Sequence, residues 1–315
     1  MMEIDETKLS PMMKEYLKTK REYPDCILFY RLGDFYEMFF DDAILVSKEL
    51  NITLTGKLCG LDERAPMAGV PYHAVDSYLS KLVANGHKVA ICEQMEDPAL
   101  AKGLVRREVI RIVTPGTNLD TDYLDETKNN YLMTIVYMID KFGFALSDIS
   151  TGDFKVSEAD SADKLLDEIT MYSPSEIICN EAFLISGINI DNIRDKASVT
   201  TLDNSYFDEK ESGEILSKQF EYQDLVPLED YPCGIIAAAA LIKYIKETQI
   251  DFSIDQIRHV KTYNSTSYMH IDRATRINLE LTETIRDKNK KGSLLWVLDK
   301  TKTAIGARKL RQIVK

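Results

Sequence analysis

Residues 28–43 read LFYRLGDFYEMFFDDA, and the assignment of this stretch decides the architecture around it. Six aromatic rings and five ionised side chains fall between Phe29 and Ala43, where a plain core would be mostly Leu, Ile and Val. CILFYRL, residues 26–32, reads as a buried strand that Gly33 ends. Asp34 lies three residues before Glu37, the spacing of a capping box. That spacing predicts a helix to about Leu50, with Phe39, Ala43, Val46 and Leu50 along one face. Tyr36, Phe39 and Phe40 are assigned to the core or its rim. Phe35, in the first turn after a Gly-Asp corner, can join that core or project outward, and Glu37 can be a capping acid or a ligand for a partner.

Working outward, KLSPMMKEYLKTK (8–20) predicts a helix with Ser10 as N-cap and Pro11 in the first position. A short strand is expected over Ile52–Thr55. APMAGVPYHA (65–74) reads as a loop punctuated by Pro66, Gly69 and Pro71, followed by a helix AVDSYLSKLVAN that Gly86 stops. HKVAICEQ and EVIRIVTPGT are strands, and the alternation makes residues 1–115 an α/β domain. Residues 116–130 are polar, acidic and aperiodic, the pattern of a linker. A second α/β domain spans 131–260. Its strands YLMTIVYMID and FGFALSDIS pair around Lys141-Phe142-Gly143, and GDFKVSE continues the meander. The helix SADKLLDEITMY, the strand PSEIICN and a helix from Gly234 to Thr248 complete it. Residues 261–315 read as the start of an all-α region, with Ile271, Ala274, Ile277 and Leu281 at helical spacing. The periodic GARKLRQIVK has no C-capping signal, which leads us to expect an N-terminal fragment of a longer protein.

Of the 315 residues 44% are hydrophobic and 29% charged, so the chain can bury real cores and is not of the disordered class. Cys26, Cys59, Cys92, Cys179 and Cys233 are odd in number and form no C-x-x-C pair, the usage of reduced cytosolic thiols rather than of a zinc site or disulfide framework. MMEIDETK is too acidic for a secretory signal, and CGIIAAAALI is about half the length that spans a bilayer. The expected location is the cytoplasm, with no membrane partner. A net charge of −12 excludes a general nucleic-acid coat. The first 115 residues hold 15 basic and 18 acidic side chains, so a local DNA contact is least opposed there. No Ser-His-Asp or Cys-His set stands out, and four histidines form no metal-ligating pattern, so no catalytic or metal site is assigned.

Several long segments carry a family resemblance. LFYRLGDFYEMFFDDA, PMAGVPYHAVDSYLSKLVANGHKVAICEQ and VIRIVTPGT resemble the mismatch-binding domain of the MutS family of bacterial DNA mismatch repair sensors. ALSDISTGDF is similar to the start of that family's connector domain, and residues 273–314 to the opening of its core and lever region. The resemblance implies an RNase H-like connector, mismatched duplex DNA and MutL as partners, a homodimer for the full-length parent, and a bacterial cytoplasmic location beside the nucleoid. It also implies ATP and Mg²⁺ for the parent. A G-x-x-x-x-G-K-[ST] loop is missing here, since TGKL (55–58) and IGARK (305–309) lack the spacing; no cofactor and no ATP hydrolysis are expected of this chain.

In the family the working unit is Phe-x-Glu, which falls on Phe35, Tyr36 and Glu37. Phe35 would insert from the minor groove and stack on a mispaired or unpaired base, and Glu37 would hydrogen-bond that base. Wedging a ring between base steps costs a few kcal/mol of unstacking, and a ring–base stack returns about 1–3 kcal/mol. The balance is favourable only where pairing is already flawed. A carboxylate is repelled by the groove unless a base N–H donates to it or it carries a proton itself. Glu37 is therefore expected to penalise correct duplex. Candidates for backbone phosphates are Lys57, Arg64, Arg106, Arg107 and Arg111, with GLVRREVIR the densest cluster. His73 can cap its helix or touch DNA. The rival reading is a metal-dependent nuclease centred on Asp148, with Asp153 nearby, although further converging carboxylates are not evident.

Overall fold

The computed structural model describes residues 7–61, 63–96, 103–119, 125–250, 253–263 and 271–315. The acidic N-terminus, residues 120–124 of the predicted linker and the first residues of the predicted last helix lie outside the described residues. The chain divides into two compact units, Met1–Asp120 with Glu247–Phe252, and Thr121–Lys246 with Ser253–Lys315. Residues 253–315, which include the segment read as a helical region, group by their contacts with the second unit.

In the first unit, α1 (Pro11–Glu22) starts after extended Ser10 with Pro11 in its first turn, although the Ser10 side chain makes no capping bond. Strand β1 (Cys26–Leu32) follows the prediction. Next comes a correction: Phe35–Phe39 is not the start of a helix but a strand, β2, and α2 begins only at Phe40 and runs to Leu50. Leu32 pairs with Phe35, which leaves Gly33 and Asp34 as a two-residue turn. Gly33 sits at φ 60°, with open space where a Cβ would stand, so glycine serves the backbone angle rather than packing. A hairpin and a capping box use the same Gly-Asp signal. Backbone pairing on both sides of Phe35–Phe39 decides for the strand.

Strand β3 is Thr55–Lys57, later than expected, and the predicted loop 65–74 contains β4 (Ala65–Pro71). Proline is tolerated because Pro66 faces only the short edge strand β3 and Pro71 ends β4. After α3 (Val75–Ala84) come β5 (Lys88–Gln94) and β6 (Arg107–Val113). The sheet order is β3-β4-β2-β1-β5-β6, with β1 and β5 parallel and every other pair antiparallel. One face carries Ile27, Phe29, Tyr36, Met38, Val70 and Val89 against Ala43, Val46 and Leu50 of α2 and Leu79, Leu82 and Val83 of α3. The other carries Cys26, Leu28, Tyr30, Phe39, Ala90 and Cys92 beneath Met13 and Tyr16 of α1. Phe39, predicted to share a face with Ala43, lies on this second face because strand alternation separates it from Met38.

The second unit holds the sheet β11-β10-β7-β8-β9-β12. Strands β7 (Leu132–Met138), β8 (Lys141–Asp148) and β9 (Asp153–Ala159) form an antiparallel meander. β10 (Glu176–Cys179) runs parallel to β7, β11 (Ser198–Thr201) parallel to β10, and β12 (Lys261–Thr262) parallel to β9. The first turn of the meander is Ile139-Asp140, both at positive φ, and not the predicted Lys141-Phe142-Gly143. Gly143 is glycine for another reason: a Cβ there would lie 2.2 Å from the backbone of Cys233, at the start of the helix Pro232–Thr248. That helix buries Ala237–Ile242, the apolar run noted above, completely. No helix among the described residues is long and apolar enough to cross a membrane. The expected continuous helix over 271–281 is only Arg273–Asn278, capped by Asp272 and broken where Glu280 takes a positive φ.

Candidate nucleic-acid interface

Strands β1, β4 and β5 end, and β2 and β6 begin, at one end of the first sheet, so Leu32, Phe35, Pro71, Gln94 and Arg107 share an edge. Phe35 and Phe39 point to the same face of β2, yet Phe39 is 1% exposed and Phe35 46%. Helix α1 covers the face as far as Phe39, where the Tyr16 ring meets it edge-on at 4.9 Å. Further along the strand the Phe35 ring stands open on its turn. Gly69, opposite Glu37, keeps the surface low: a Cβ there would touch both the Glu37 side chain and the Phe35 ring at 3.7 and 3.9 Å.

The turn is held from several sides. Tyr72 N donates to the Asp34 carbonyl at 3.0 Å. The Arg31 guanidinium lies 3.9 Å from the centre of the Tyr72 ring and pairs with Glu93 at 3.3 Å. On the buried side of β2, the Tyr36 hydroxyl donates to Glu93, and burial first, then this carboxylate, push the phenol well above its ordinary pKa. Tyr72, which follows the strand residue paired with Phe35, is also exposed.

Glu37 is not the bare anion the sequence suggested. Lys57 reaches from β3 past the Phe39 ring and places Nζ 2.5 Å from Glu37 Oε2. Lys57, read as a phosphate contact, is thus engaged within the face. Arg107 is likewise turned inward: its side chain is 6% exposed, donates to the Arg31 carbonyl at 2.8 Å, lies over Tyr30 and faces Glu15. A buried, partnered guanidinium is a structural tie, which corrects its reading as a phosphate contact. Arg106 is exposed and paired with Glu108 at 2.5 Å, Arg111 is half-buried on β6, and Arg64 is exposed with its guanidinium 3.5 Å from the Gly56 carbonyl. His73 is exposed beside Tyr72 and makes no capping bond to α3.

In the second unit, buried Asp148 accepts from Asn129 Nδ2 at 2.7 Å and from Ser150 N and Oγ at 3.0 and 2.7 Å. Asp153, paired opposite it, faces Lys155, Lys261 and the Tyr131 hydroxyl. Burial works to raise its pKa, but Lys155, Tyr131 and Lys261 outweigh it and hold the carboxyl below its ordinary value. This is turn and ion-pair chemistry, with the carboxylates already occupied by donors. Among the described residues no group of three or more His, Cys, Asp or Glu side chains is placed to hold a metal.

The family profile of MutS domain I matches residues 10–122, that of MutS domain II residues 130–261 and that of MutS domain III residues 274–315. The chain belongs to the MutS family. It is 55% identical over 310 residues to the DNA mismatch repair protein MutS of Lachnoclostridium phytofermentans, covering 97% of this chain and 33% of that protein. It is 50% identical to the proteins of the same name from Ruminiclostridium cellulolyticum, over 309 residues, and Acetivibrio thermocellus, over 310. Each of these two alignments covers 96% of this chain and 35% of the relative. The chain therefore spans about a third of the length of these MutS relatives. The exposed ring and its ion pair lie in the part that matches MutS domain I. Sequence reasoning singled out Phe35 and Glu37 as candidates but missed that Lys57 pairs with Glu37, a link that needs the register of β3, β4 and β2 together.

Proposed function

We propose that this chain recognises mismatched or unpaired bases in duplex DNA, as the first step of mismatch repair, by inserting Phe35 from the minor groove with Glu37 meeting the displaced base. The observation that carries the reading is the contrast within β2, where the ring at the turn is open and its equivalent two positions further along the same face is sealed. An exposed aromatic on a braced hairpin can stack on a base without unpacking the protein first. Arg64 and Arg106, both exposed, are the groups proposed to meet backbone phosphates, whereas Arg111 has Nε and Nη2 withdrawn from solvent and is not proposed for that role.

The strand order of the second sheet, an antiparallel meander extended by parallel strands, supports an RNase H-like connector. Its role in this reading is mechanical and partner-binding rather than nucleolytic. ATP and Mg²⁺ use, MutL recruitment, homodimerisation and a place in the bacterial cytoplasm are proposed for the full-length form, and the start of a core and lever region for residues 271–315. The 315 residues alone are proposed to hydrolyse no ATP.

The test is fluorescence anisotropy with a duplex carrying a single G·T mismatch or an unpaired T, against the matched duplex, using this chain joined to the last two thirds of the L. phytofermentans relative. Phe35→Ala is expected to remove about 1–3 kcal/mol of heteroduplex affinity, the value of one aromatic–base stack, and to leave matched-duplex binding nearly unchanged. Equal effects on the two duplexes would dismiss the wedge.

A further inference from the structure

Lys57 deserves a different assignment from the other basic residues of the interface. Its ammonium is 2.5 Å from Glu37 Oε2, the lysine side chain is 32% exposed and the glutamate 16%, so the pair is partly withdrawn from water and less screened than a surface bridge. Its stem crosses the buried Phe39, with Nζ 5.6 Å from that ring's centre, which limits where the ammonium can go. Among the described residues Glu37 has no other hydrogen-bond donor, so Oε2 is taken and Oε1 is the acceptor left for an incoming group. Gly69, across the strand pair, leaves the space beside that carboxylate open.

We propose that Lys57 is a specificity-determining positioning residue: it cancels and orients Glu37, so that a single carboxylate oxygen is offered to the base beside Phe35. This rests on the wedge reading above. An uncompensated carboxylate driven into the minor groove meets the negative potential of both backbones. With Lys57 bonded to it the pair enters as a dipole, and one donor N–H from a displaced base satisfies the remaining oxygen. On matched duplex no such donor is displaced, and the desolvated pair is left short of a hydrogen bond. The discrimination that sequence alone assigns to the charge of Glu37 is thereby assigned to the Glu37–Lys57 pair.

The same chimeric protein serves as the test, with Lys57→Met, Lys57→Arg, Glu37→Gln and the double variant Lys57→Met/Glu37→Gln on mismatched and matched duplexes across a salt series. Lys57→Met is expected to weaken mismatch binding by about tenfold while matched-duplex affinity falls less than about threefold, as for lost interactions of a desolvated charge pair. In the Glu37→Gln background, where no anion needs cancelling, the same substitution is expected to change mismatch affinity by less than about twofold. Lys57→Arg is expected to keep the selectivity. If Lys57 is instead a phosphate contact, Lys57→Met weakens both duplexes alike, makes the salt slope shallower by about one and acts equally in both backgrounds. That result, or a Lys57→Arg variant as unselective as Lys57→Met, overturns the proposal. Phe35→Ala run alongside separates the two failures: a wild-type response there with additive Lys57 effects rejects the wedge itself, whereas a lost mismatch preference with additive Lys57 effects rejects only the role given to Lys57.

Discussion

Phe35→Ala and Phe39→Ala remove the same ring from the same face of the same strand, and their costs to folding should differ several-fold. Phe39 is sealed, packs edge-on against Tyr16, and its backbone N–H donates to the Tyr16 hydroxyl oxygen at 3.2 Å. Truncating such a ring costs about 3–5 kcal/mol, the transfer term plus the cavity left behind. Phe35 is 46% exposed, so only about half of the roughly 1.5–3 kcal/mol for full burial is at stake, and no closed cavity forms. The expected loss is about 1 kcal/mol. Because the chain has two units, a global probe would mix their transitions. Cys26, Cys59 and Cys92 are buried in the first unit, and their alkylation across a urea series, read by mass spectrometry, reports that unit alone. A Phe35→Ala midpoint displaced as far as that of Phe39→Ala would mean that the ring is a core residue in solution, and the wedge would lose its physical basis.

Three further outcomes test other parts of the structure. Gly143→Ala should destabilise the second unit by about 1–3 kcal/mol or more, because the new methyl meets the Cys233 backbone rather than a side chain that can turn away; denaturant unfolding followed by Cys179 and Cys233 alkylation measures it. Asp153→Asn should cost about 1–3 kcal/mol at neutral pH by leaving Lys155 short of its acceptor. Since the folded-state pKa of Asp153 lies below its unfolded value, its contribution is complete above about pH 4 and fades as pH falls through the folded value, so wild type and variant should converge in acid. The thiols of Cys26, pushed up to about 11, and Cys92, pushed up to about 12, chiefly by burial, should resist a thiol reagent at pH 8 in the native chain and react at once in denaturant.

The order of elements in both units could be read from periodicity, and β1, α3, β5 and the β7–β9 meander stand close to where the sequence puts them. What misled was locally ambiguous chemistry. Asp34 and Glu37 have capping-box spacing, but a tight Gly-Asp corner also suits a hairpin, and the neighbouring strand β4 settles which one forms. That neighbour was hidden because Pro66 and Pro71 read as loop punctuation until it is known that one faces a short edge strand and the other ends the run. Arg107 looked like a member of a basic surface cluster. Whether an arginine in such a run meets solvent or folds under a ring depends on Glu15 and Tyr30, both distant in sequence.

The placement of the exposed ring on a strand, rather than on a loop, bears on how discrimination arises. A probe on a mobile loop could relax when it met an intact base pair, and part of the difference between flawed and correct duplex would be lost in that relaxation. Phe35 cannot retreat easily. Its strand is paired on both sides, to Leu32 and to Pro71, and the turn is tied through Tyr72 N and braced by Arg31 stacked on Tyr72 and bound to Glu93. If Phe35 is the proposed wedge, the deformation on contact would fall mostly on the DNA, whose cost is low where pairing has already failed and several kcal/mol where it has not. On the proposed wedge reading, the bracing residues beneath the hairpin would act on selectivity through Phe35, because the stiffer their support, the more fully the difference in DNA deformability would appear as a difference in binding.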